Sequence, residues 1–339
     1  MRIVHCANYH FKKDGAEFAN WDLKLDNGFA HNGWYVYPFS VNDRARMLSP
    51  TGHKTFGIKR ANRALIETCQ SVHPDVLVLG HAQNVTRETI MRVRDALPEI
   101  RILLWYCDSV TEDADTGHLY ERMDALDAMF FSTGGSMIEP FGADSRISAF
   151  VPNPVDINIE SNRAFECERP EYDVVFFGRD DPRRNPLLES LRASVEGARF
   201  GYFGCLGHAG VYGHEREAIL ARSAMALNLS RWNDVALYSS NRIADVIGNG
   251  LLTLTHASSG LQALYPEDEV AYFKDEQDLA TRVAHYLGRD DERRTMARRA
   301  WEHAHRDHSS TRVARFMIEA VLREDGYRDV TWPMFVFGG

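Results

Sequence analysis

The feature that most constrains the fold is an alternation, present in both halves of the chain, between short apolar runs and segments with helical periodicity. In the first half, Ile3–Cys6 and Asp75–Leu79 are apolar runs of strand length. Gly57–Val72 places Ile58, Leu65 and other apolar residues at steps of three and four, as one face of a helix requires. Alternation of strands and helices predicts a parallel sheet covered by helices.

A cluster of turn residues interrupts this alternation at Val151–Asp156. Its two prolines, Pro152 and Pro154, fix the backbone and favour a stiff connector. We therefore predict a first domain over 1–151, a linker over 152–170 and a second domain over 171–316. Residues 317–339 are predicted to return to the first domain.

After the linker the alternation starts again. It predicts two doubly wound, Rossmann-like α/β domains that face each other across a cleft. In such sheets, ligands bind beyond the carboxyl ends of the strands. The predicted strands of the second domain are Tyr172–Phe177, Arg199–Phe203, Ala226–Leu229, Gly250–Thr255 and Val270–Phe273.

Composition excludes several classes of protein. The chain has 339 residues and a net charge of −9, which disfavours a nucleic-acid binder because such proteins need a basic face. Its five cysteines are scattered and form no Cys-x-x-Cys pair, which disfavours a disulfide scaffold or a cysteine zinc site. Without a signal peptide or a long apolar stretch, the sequence predicts a cytoplasmic protein.

The first candidate site follows the strand that ends at Gly178. A chain that turns from a strand into a helix directs backbone N–H groups towards an anion. Arg179 and Arg184 add positive charge with a geometry suited to phosphate. The alternative is an ordinary surface turn, in which these arginines pair with Asp180 and Asp181.

The second candidate site lies in Tyr238–Thr253. Ser239 and Ser240 precede a predicted helix that carries Arg242 and Asp245, and a carboxylate at this place can bind ribose hydroxyls. The alternative is a serine cap at the start of the helix and a glycine cap at its end. Caps alone leave unexplained why Arg242 and Asp245 are three residues apart on one helix face.

These blocks, in this order, resemble the donor-binding domain of group 1-like GT-B glycosyltransferases, nearest to the group that includes CgeB-like spore-maturation proteins. The resemblance runs roughly from Tyr172 to Phe316. It implies that arginines and glycines hold the diphosphate of a nucleotide-sugar and that Asp245 binds its ribose. The implied donor-binding residues are Gly178, Arg179, Arg184, Arg231, Ser239, Ser240, Arg242, Asp245, Gly248, Asn249 and Gly250.

The chain departs from this family pattern at two positions. The usual ribose-binding acid is glutamate, whereas here it is Asp245. Many retaining relatives carry another glutamate where this chain has Leu237, and its absence argues against a retaining mechanism.

The first half contains two candidates for the general base. Asp108 follows Trp105-Tyr106-Cys107, which resembles the tryptophan and aspartate after the fourth strand of these relatives. Asp108 could accept a proton from an acceptor hydroxyl, or it could cap the turn that follows. His81, at the end of another predicted strand, is the second candidate, with a purely structural role as its alternative.

Two patterns suggest a metal, but we predict neither a metal nor another cofactor. Asp113-Ala114-Asp115 has the Asp-x-Asp form of GT-A enzymes, yet hard cations need several converging oxygen ligands. Of His303, His305 and His308, only the last two share a helix face.

The predicted function is the metal-independent transfer of a sugar from a nucleotide-activated donor to a hydroxyl of a glycan or lipid-linked acceptor, as in cell-surface polysaccharide synthesis. The alternatives are a sugar-nucleotide epimerase with the same two domains and a sugar-binding module without enzymatic activity. A basic stripe over 293–299 is a candidate for peripheral contact with an anionic membrane. Its alternative is a solvated helix face balanced by neighbouring acids.

Overall fold

The structure, a computed structural model, describes residues 1–111 and 116–339. It divides into two compact units, Met1–Pro152 with Ser310–Gly339, and Asn153–Ser309. The segment predicted as a linker therefore belongs mostly to the second unit. The return of the chain to the first unit was predicted at residue 317. In the structure it begins at Ser310, the first residue of a helix over Ser310–Leu322 that crosses the predicted boundary.

The strands and helices of the described residues are numbered along the chain. The strands are β1 (Arg2–Ala7), β2 (Tyr35–Ser40), β3 (Val76–Leu79), β4 (Arg101–Tyr106), β5 (Ala128–Phe131), β6 (Ile147–Phe150), β7 (Tyr172–Phe177), β8 (Phe200–Phe203), β9 (Ser223–Asn228), β10 (Leu252–His256), β11 (Ala271–Phe273) and β12 (Val336–Phe337). The helices are α1 (Trp21–His31), α2 (Val41–Met47), α3 (Ile58–Val72), α4 (Arg87–Ala96), α5 (Gly117–Tyr120), α6 (Asn185–Ser194), α7 (Gly213–Ala221), α8 (Arg242–Gly248), α9 (Glu276–Leu287), α10 (Asp290–Asp307) and α11 (Ser310–Leu322). None of these helices has the length and apolar character needed to cross a membrane.

The described part of the first unit contains a seven-stranded sheet in the order β12-β6-β5-β4-β3-β1-β2. Its neighbouring strands are parallel except β12, which runs antiparallel to β6. Every residue of β3 and β5 is buried, as expected for strands covered on both faces. The predicted parallel α/β class is confirmed for this unit.

The second unit contains a five-stranded parallel sheet in the order β11-β10-β9-β7-β8. The chain passes from β7 to β8 on one side and then crosses to β9 on the other. The strand order thus reverses between β7 and β9. Their carboxyl ends flank the crevice where doubly wound sheets bind ligands.

Six elements of the first unit were not predicted from the sequence, namely α1, α2, α5, α11, β6 and β12. Helix α1 buries the charged residues Asp22 and Lys24, which breaks the apolar periodicity expected of a helix face. A Cβ on Gly28 of α1 would lie 2.2 Å from the carbonyl oxygen of Ser310 in α11. This close approach explains how the C-terminal segment is held to the first unit.

A buried histidine connects β1 to α1. Nδ1 of His5 lies 2.7 Å from Oδ1 of Asp26, and its Nε2 lies 3.6 Å from Oδ1 of Asp22. Burial alone would lower the pKa of His5, but the carboxylates of Asp26 and Asp22 outweigh it and raise the pKa to about 9. His5 is therefore an imidazolium at neutral pH and neutralises two carboxylates of α1.

This arrangement predicts a loss of stability at alkaline pH. In the unfolded chain the pKa of His5 is about 6.5, so its stabilising contribution is complete below that pH and is lost as pH rises through about 9. The expected loss is about 3 kcal/mol of unfolding free energy, measured by urea unfolding across this range. The His5→Gln variant should be less stable than the wild type at pH 6, and its unfolding free energy should change less between pH 6 and pH 9. Identical profiles for the two proteins would contradict the assignment.

Candidate active site

Arg242, the first residue of α8, bridges the two strand ends at the reversal point of the second sheet. Its Nε donates to the carbonyl oxygen of Phe177, the last residue of β7, at 2.6 Å. Its Nη1 donates to the carbonyl oxygen of Leu229, just after β9, at 3.0 Å. The guanidinium group is thereby fixed in the crevice where this fold binds ligands.

Arg184 is held beside Arg242 by the same carbonyl group. Its Nη1 donates to the oxygen of Leu229 at 3.3 Å and its Nη2 to the oxygen of Arg179 at 2.9 Å. Both guanidinium groups also lie over the ring of Phe176, with Cζ 4.7 Å from the ring centroid for Arg242 and 5.5 Å for Arg184. The two cations are thus oriented by one carbonyl and one aromatic face.

The positive charges of Arg184 and Arg242 are poorly compensated. Burial lowers the pKa of Arg184. Burial, followed by repulsion from Arg184 and Arg216, lowers the pKa of Arg242 to about 9. This is still above neutrality, so both groups stay charged in ordinary buffers. An anion between them would relieve this repulsion.

Two polar atoms near this crevice lack a hydrogen-bond partner among the described residues. They are Nε of Arg184 and Oγ of Ser240, and both are buried. Leaving such an atom unsatisfied costs about 1–3 kcal/mol, and native structures rarely tolerate it without a ligand or water. These two unsatisfied atoms therefore indicate where a polar ligand would bind.

Asp245 has a role that the sequence did not indicate. Its Oδ2 accepts from Nη2 of Arg216 at 2.7 Å, and its Oδ1 accepts from Nδ2 of Asn241 at 2.7 Å. Asp245 is 5% exposed, so a ribose would have to share these oxygens. Arg216 lies over the ring of Phe177 and was missed because only the fold brings α7 beside α8.

Three other predicted donor-binding residues are exposed or are bound to neighbouring side chains. The side chain of Arg179 is exposed, and Arg231 is half-exposed and pairs with Asp181 at 3.0 Å. Ser239 is buried, and its hydroxyl donates to Oδ1 of Asn228 at 3.0 Å. The hydroxyl of Ser239 thus fixes the loop after β9. Of the two serines, the neighbouring Ser240 is better placed to bind a polar ligand.

Gly248, Asn249 and Gly250 lie at the carboxyl end of α8, whereas Arg242 stands at its amino end. Gly248 is the last residue of the helix, and Asn249 and Gly250 follow it. A Cβ on Gly248 would lie 2.6 Å from Val155, and one on Gly250 would lie 2.8 Å from the ring of Phe165. The structure thus gives these two glycines a packing role against residues 155–165, and the predicted donor contact of the three residues stays a prediction.

In the first unit, the structure brings the two candidate bases together. Asp108 follows β4 and His81 follows the neighbouring β3, so both lie at the carboxyl edge of the sheet. Nε2 of His81 lies 3.5 Å from Oδ2 of Asp108. The side chain of Asp108 is 54% exposed and that of His81 is 24% exposed. Of the two, Asp108 is the more open to a substrate.

The opposite side of the His81 ring faces hydrogen-bond donors. The indole N–H of Trp21 donates to Nδ1 at 2.9 Å, and Sγ of Cys107 lies 3.3 Å from the same atom. An indole nitrogen can only donate, so Nδ1 must be unprotonated and the ring proton sits on Nε2, towards Asp108.

The pKa of His81 has opposing causes. Burial lowers it, but negative charge on Cys107 and a hydrogen bond to Asp108 would outweigh burial and raise the pKa well above its ordinary value. Burial, however, raises the pKa of Cys107 to about 11, so the thiol stays protonated at neutral pH. Without a thiolate, the donors at Nδ1 favour a neutral ring that donates through Nε2 to Asp108.

No group of three or more His, Cys, Asp or Glu side chains in the described part of the chain is arranged to hold a metal. The Asp113-Ala114-Asp115 pattern lies outside the described residues.

Residues 183–319 match the family model described as glycosyl transferase-like, which covers most of the second unit. No curated protein matches the chain in sequence.

Solved structures match over nearly the whole chain at low sequence identity. HepE from Anabaena, in complex with UDP, has a TM-score of 0.64 and 11% identity over 95% of this chain and 100% of its own. Sucrose-phosphate synthase from Thermosynechococcus elongatus has a TM-score of 0.62 and 12% identity over 95% and 98%. AviGT4, a glycosyltransferase of avilamycin A biosynthesis, has a TM-score of 0.59 and 13% identity over 98% and 100%.

The structural neighbours give the fold as GT-B, and the family match gives the chemistry as glycosyl transfer. The protein is thus a glycosyltransferase with the GT-B fold, in which residues 183–319 carry the glycosyl transferase-like match. The epimerase alternative is not favoured, because the family match is to transferases.

The close approach at Gly178 predicts that this glycine cannot be replaced without cost. A Cβ there would lie 2.6 Å from the ring of Phe176 and 3.2 Å from Nη2 of Arg242. Gly178→Ala should lower the unfolding free energy by about 1–3 kcal/mol, measured by chemical denaturation. Gly288→Ala is the matched control, since its nearest neighbours are 3.7 Å away or more. Equal stability of the two variants would contradict the packing argument.

Proposed function

We propose that this enzyme transfers a sugar from a nucleotide-activated donor to a hydroxyl of a glycan or lipid-linked acceptor, without a metal ion. The observation that carries the proposal is the pair formed by the buried Arg184 and the partly buried Arg242, fixed on one carbonyl beside two unsatisfied polar atoms. This arrangement suits a diphosphate, which carries negative charge and several acceptor oxygens. The relation to CgeB-like proteins is part of the same proposal.

In the proposed reaction, the acceptor oxygen attacks the anomeric carbon as the bond from that carbon to the diphosphate breaks. Negative charge then grows on the leaving diphosphate. Arg184 and Arg242 stabilise it, the role that a metal ion has in other transferases. Both groups are oriented before the donor arrives, so little reorganisation is needed during the reaction.

Asp108 is proposed to receive the proton of the acceptor hydroxyl. Leu237, which stands where retaining relatives have a glutamate, is buried and offers no carboxylate. The exposed carboxylate of Asp108 can meet a substrate, and the Nε2–H of His81 holds it in place. His81 is then a positioning residue, and Trp21 fixes its tautomer.

The nucleotide is the first property to test. The HepE structures contain UDP or UDP-glucose, so we propose a UDP-sugar as the donor. Donor hydrolysis and transfer should be measured across UDP-, GDP-, dTDP- and CMP-sugars, with and without a chelator. Turnover of one nucleotide class that persists in the chelator is expected. A requirement for added metal would overturn metal independence, and epimerised donor as the only product would overturn the transferase assignment.

Arg242→Gln should weaken UDP binding roughly a hundredfold, because a buried charge-assisted contact to phosphate is worth about 2–5 kcal/mol. Calorimetric titration measures the effect, and the melting temperature without ligand checks that the variant is folded. Arg231→Gln removes the same charge from a half-exposed position and should change affinity only a few-fold. If folded Arg242→Gln binds UDP like the wild type, the donor site is wrong.

Asp108→Asn should lower kcat by about 10²–10⁴-fold and leave UDP affinity unchanged, since it removes the proton acceptor but not the donor site. Trp21→Phe keeps an aromatic side chain but removes the indole N–H group, so it should lower kcat by roughly tenfold without changing the Kd of UDP. These variants separate base from positioning residue in steady-state assays. If His81→Gln is inactive while Asp108→Asn remains active, His81 is the base.

A further inference from the structure

The surface of the first unit exposes two large apolar side chains close together in sequence, on α2 and on the turn that follows it. Met47, the last residue of α2, is 74% exposed. Phe56, in a short 3-10 turn over Lys54–Phe56, is 67% exposed. Large apolar side chains at such exposure are candidates for contact with a partner.

The segment that carries these two side chains is rich in basic residues. Residues 41–63 contain six basic residues and one acidic residue, Asp43, in a chain whose net charge is −9. Arg46 pairs with Asp43, and Arg63 pairs with Glu67. The basic residues are Arg44, Arg46, Lys54, Lys59, Arg60 and Arg63.

Three of the basic side chains remain uncompensated. Arg44, Lys54 and Lys59 form no ion pair with any residue that the structure describes. Arg44 and Lys59 are exposed, and Lys54 is partly exposed. Together with Met47 and Phe56 they form what we call the basic–apolar surface.

The elements that carry this surface are packed firmly against one another. A Cβ on Gly57 would lie 1.7 Å from the carbonyl oxygen of Ala45, so the 3-10 turn lies directly against α2. Nη1 of Arg60, in α3, donates to the carbonyl oxygen of Leu48 at 2.8 Å. Met47 and Phe56 are therefore presented by a fixed scaffold.

Two arginines of the basic stripe of α10, which was predicted as a candidate membrane contact, bind other parts of the second unit. Arg293 is buried, bonds Asp290 and donates to the carbonyl oxygen of Ala224 at 3.1 Å. Arg294 donates to the carbonyl oxygens of Phe165 and Cys167, both at 2.9 Å. The other two, Arg298 and Arg299, are exposed, and Arg299 pairs with Asp268. Only half of the stripe therefore presents charge at the surface.

We propose that the basic–apolar surface docks the enzyme on a membrane leaflet that contains anionic lipids. Arg44, Lys54 and Lys59 contact the phosphate headgroups, and Met47 and Phe56 insert at the boundary of headgroups and acyl chains. Charge complementarity selects this partner, because an overall acidic protein would otherwise be repelled by such a leaflet. Docking extends the proposed function by placing a lipid-linked acceptor nearby, but it does not require catalysis.

The experiment is co-sedimentation of the full-length protein with vesicles of phosphatidylcholine alone or mixed with phosphatidylglycerol. Wild type should bind the mixed vesicles and lose binding as salt is raised. Each removed charge should weaken binding about fivefold, so Arg44→Gln with Lys54→Gln and Lys59→Gln should lose roughly a hundredfold. Met47→Ser with Phe56→Ser should weaken binding by about tenfold or more at unchanged charge.

The matched control is Arg222→Gln with Arg289→Gln and Arg299→Gln, which removes the same charge from exposed positions of the second unit. It should bind mixed vesicles within a few-fold of wild type. Equal losses in the two triple variants, equal binding to both vesicle types, or binding to soluble dextran sulfate but not to vesicles would overturn the proposal. UDP titration of each variant separates these outcomes from failure of the donor site.

Discussion

The carbonyl group of Leu229 is the point on which the donor-binding crevice depends. It accepts hydrogen bonds from both Arg184 and Arg242, and Arg242 also reaches the last carbonyl of β7. Two guanidinium groups are thus kept side by side where their repulsion would otherwise separate them. Burial, followed by this repulsion, lowers the pKa of Arg242, and a diphosphate bound between the two groups would relieve the repulsion.

The first unit uses a different kind of preorganisation. A hydrogen-bond donor that cannot titrate, the indole of Trp21, sets the tautomer of His81, and His81 then faces the exposed carboxylate of Asp108. The contacts run from Trp21 to His81 and from His81 to Asp108, which leaves Asp108 as the exposed end of the series. This order is why we propose the carboxylate as the proton acceptor and the histidine as the residue that positions it.

Much of the fold followed from the apolar pattern. Tyr172–Phe177 was predicted with the bounds that β7 has, because a strand buried on both faces is a continuous apolar run. Helix α1 was missed because its buried Asp22 and Lys24 look like surface residues in sequence. The packing of Gly248 against Val155 was not predicted, because sequence shows which residues share a helix but not what packs against them.

The sequence by itself determined the parallel α/β class of the two units and the residue types suited to a phosphate, since burial periodicity and arginine chemistry are local properties. The tertiary structure alone decided which arginines converge. It joined Arg216 to Asp245 across two helices and placed His81 against Asp108 on neighbouring strands. It also showed that Arg293 and Arg294 of α10 bind carbonyl groups of the second unit, while Arg44, Lys54 and Lys59 form no ion pair with a described residue. Such pairings depend on strand order and helix packing, which bring together residues far apart along the chain.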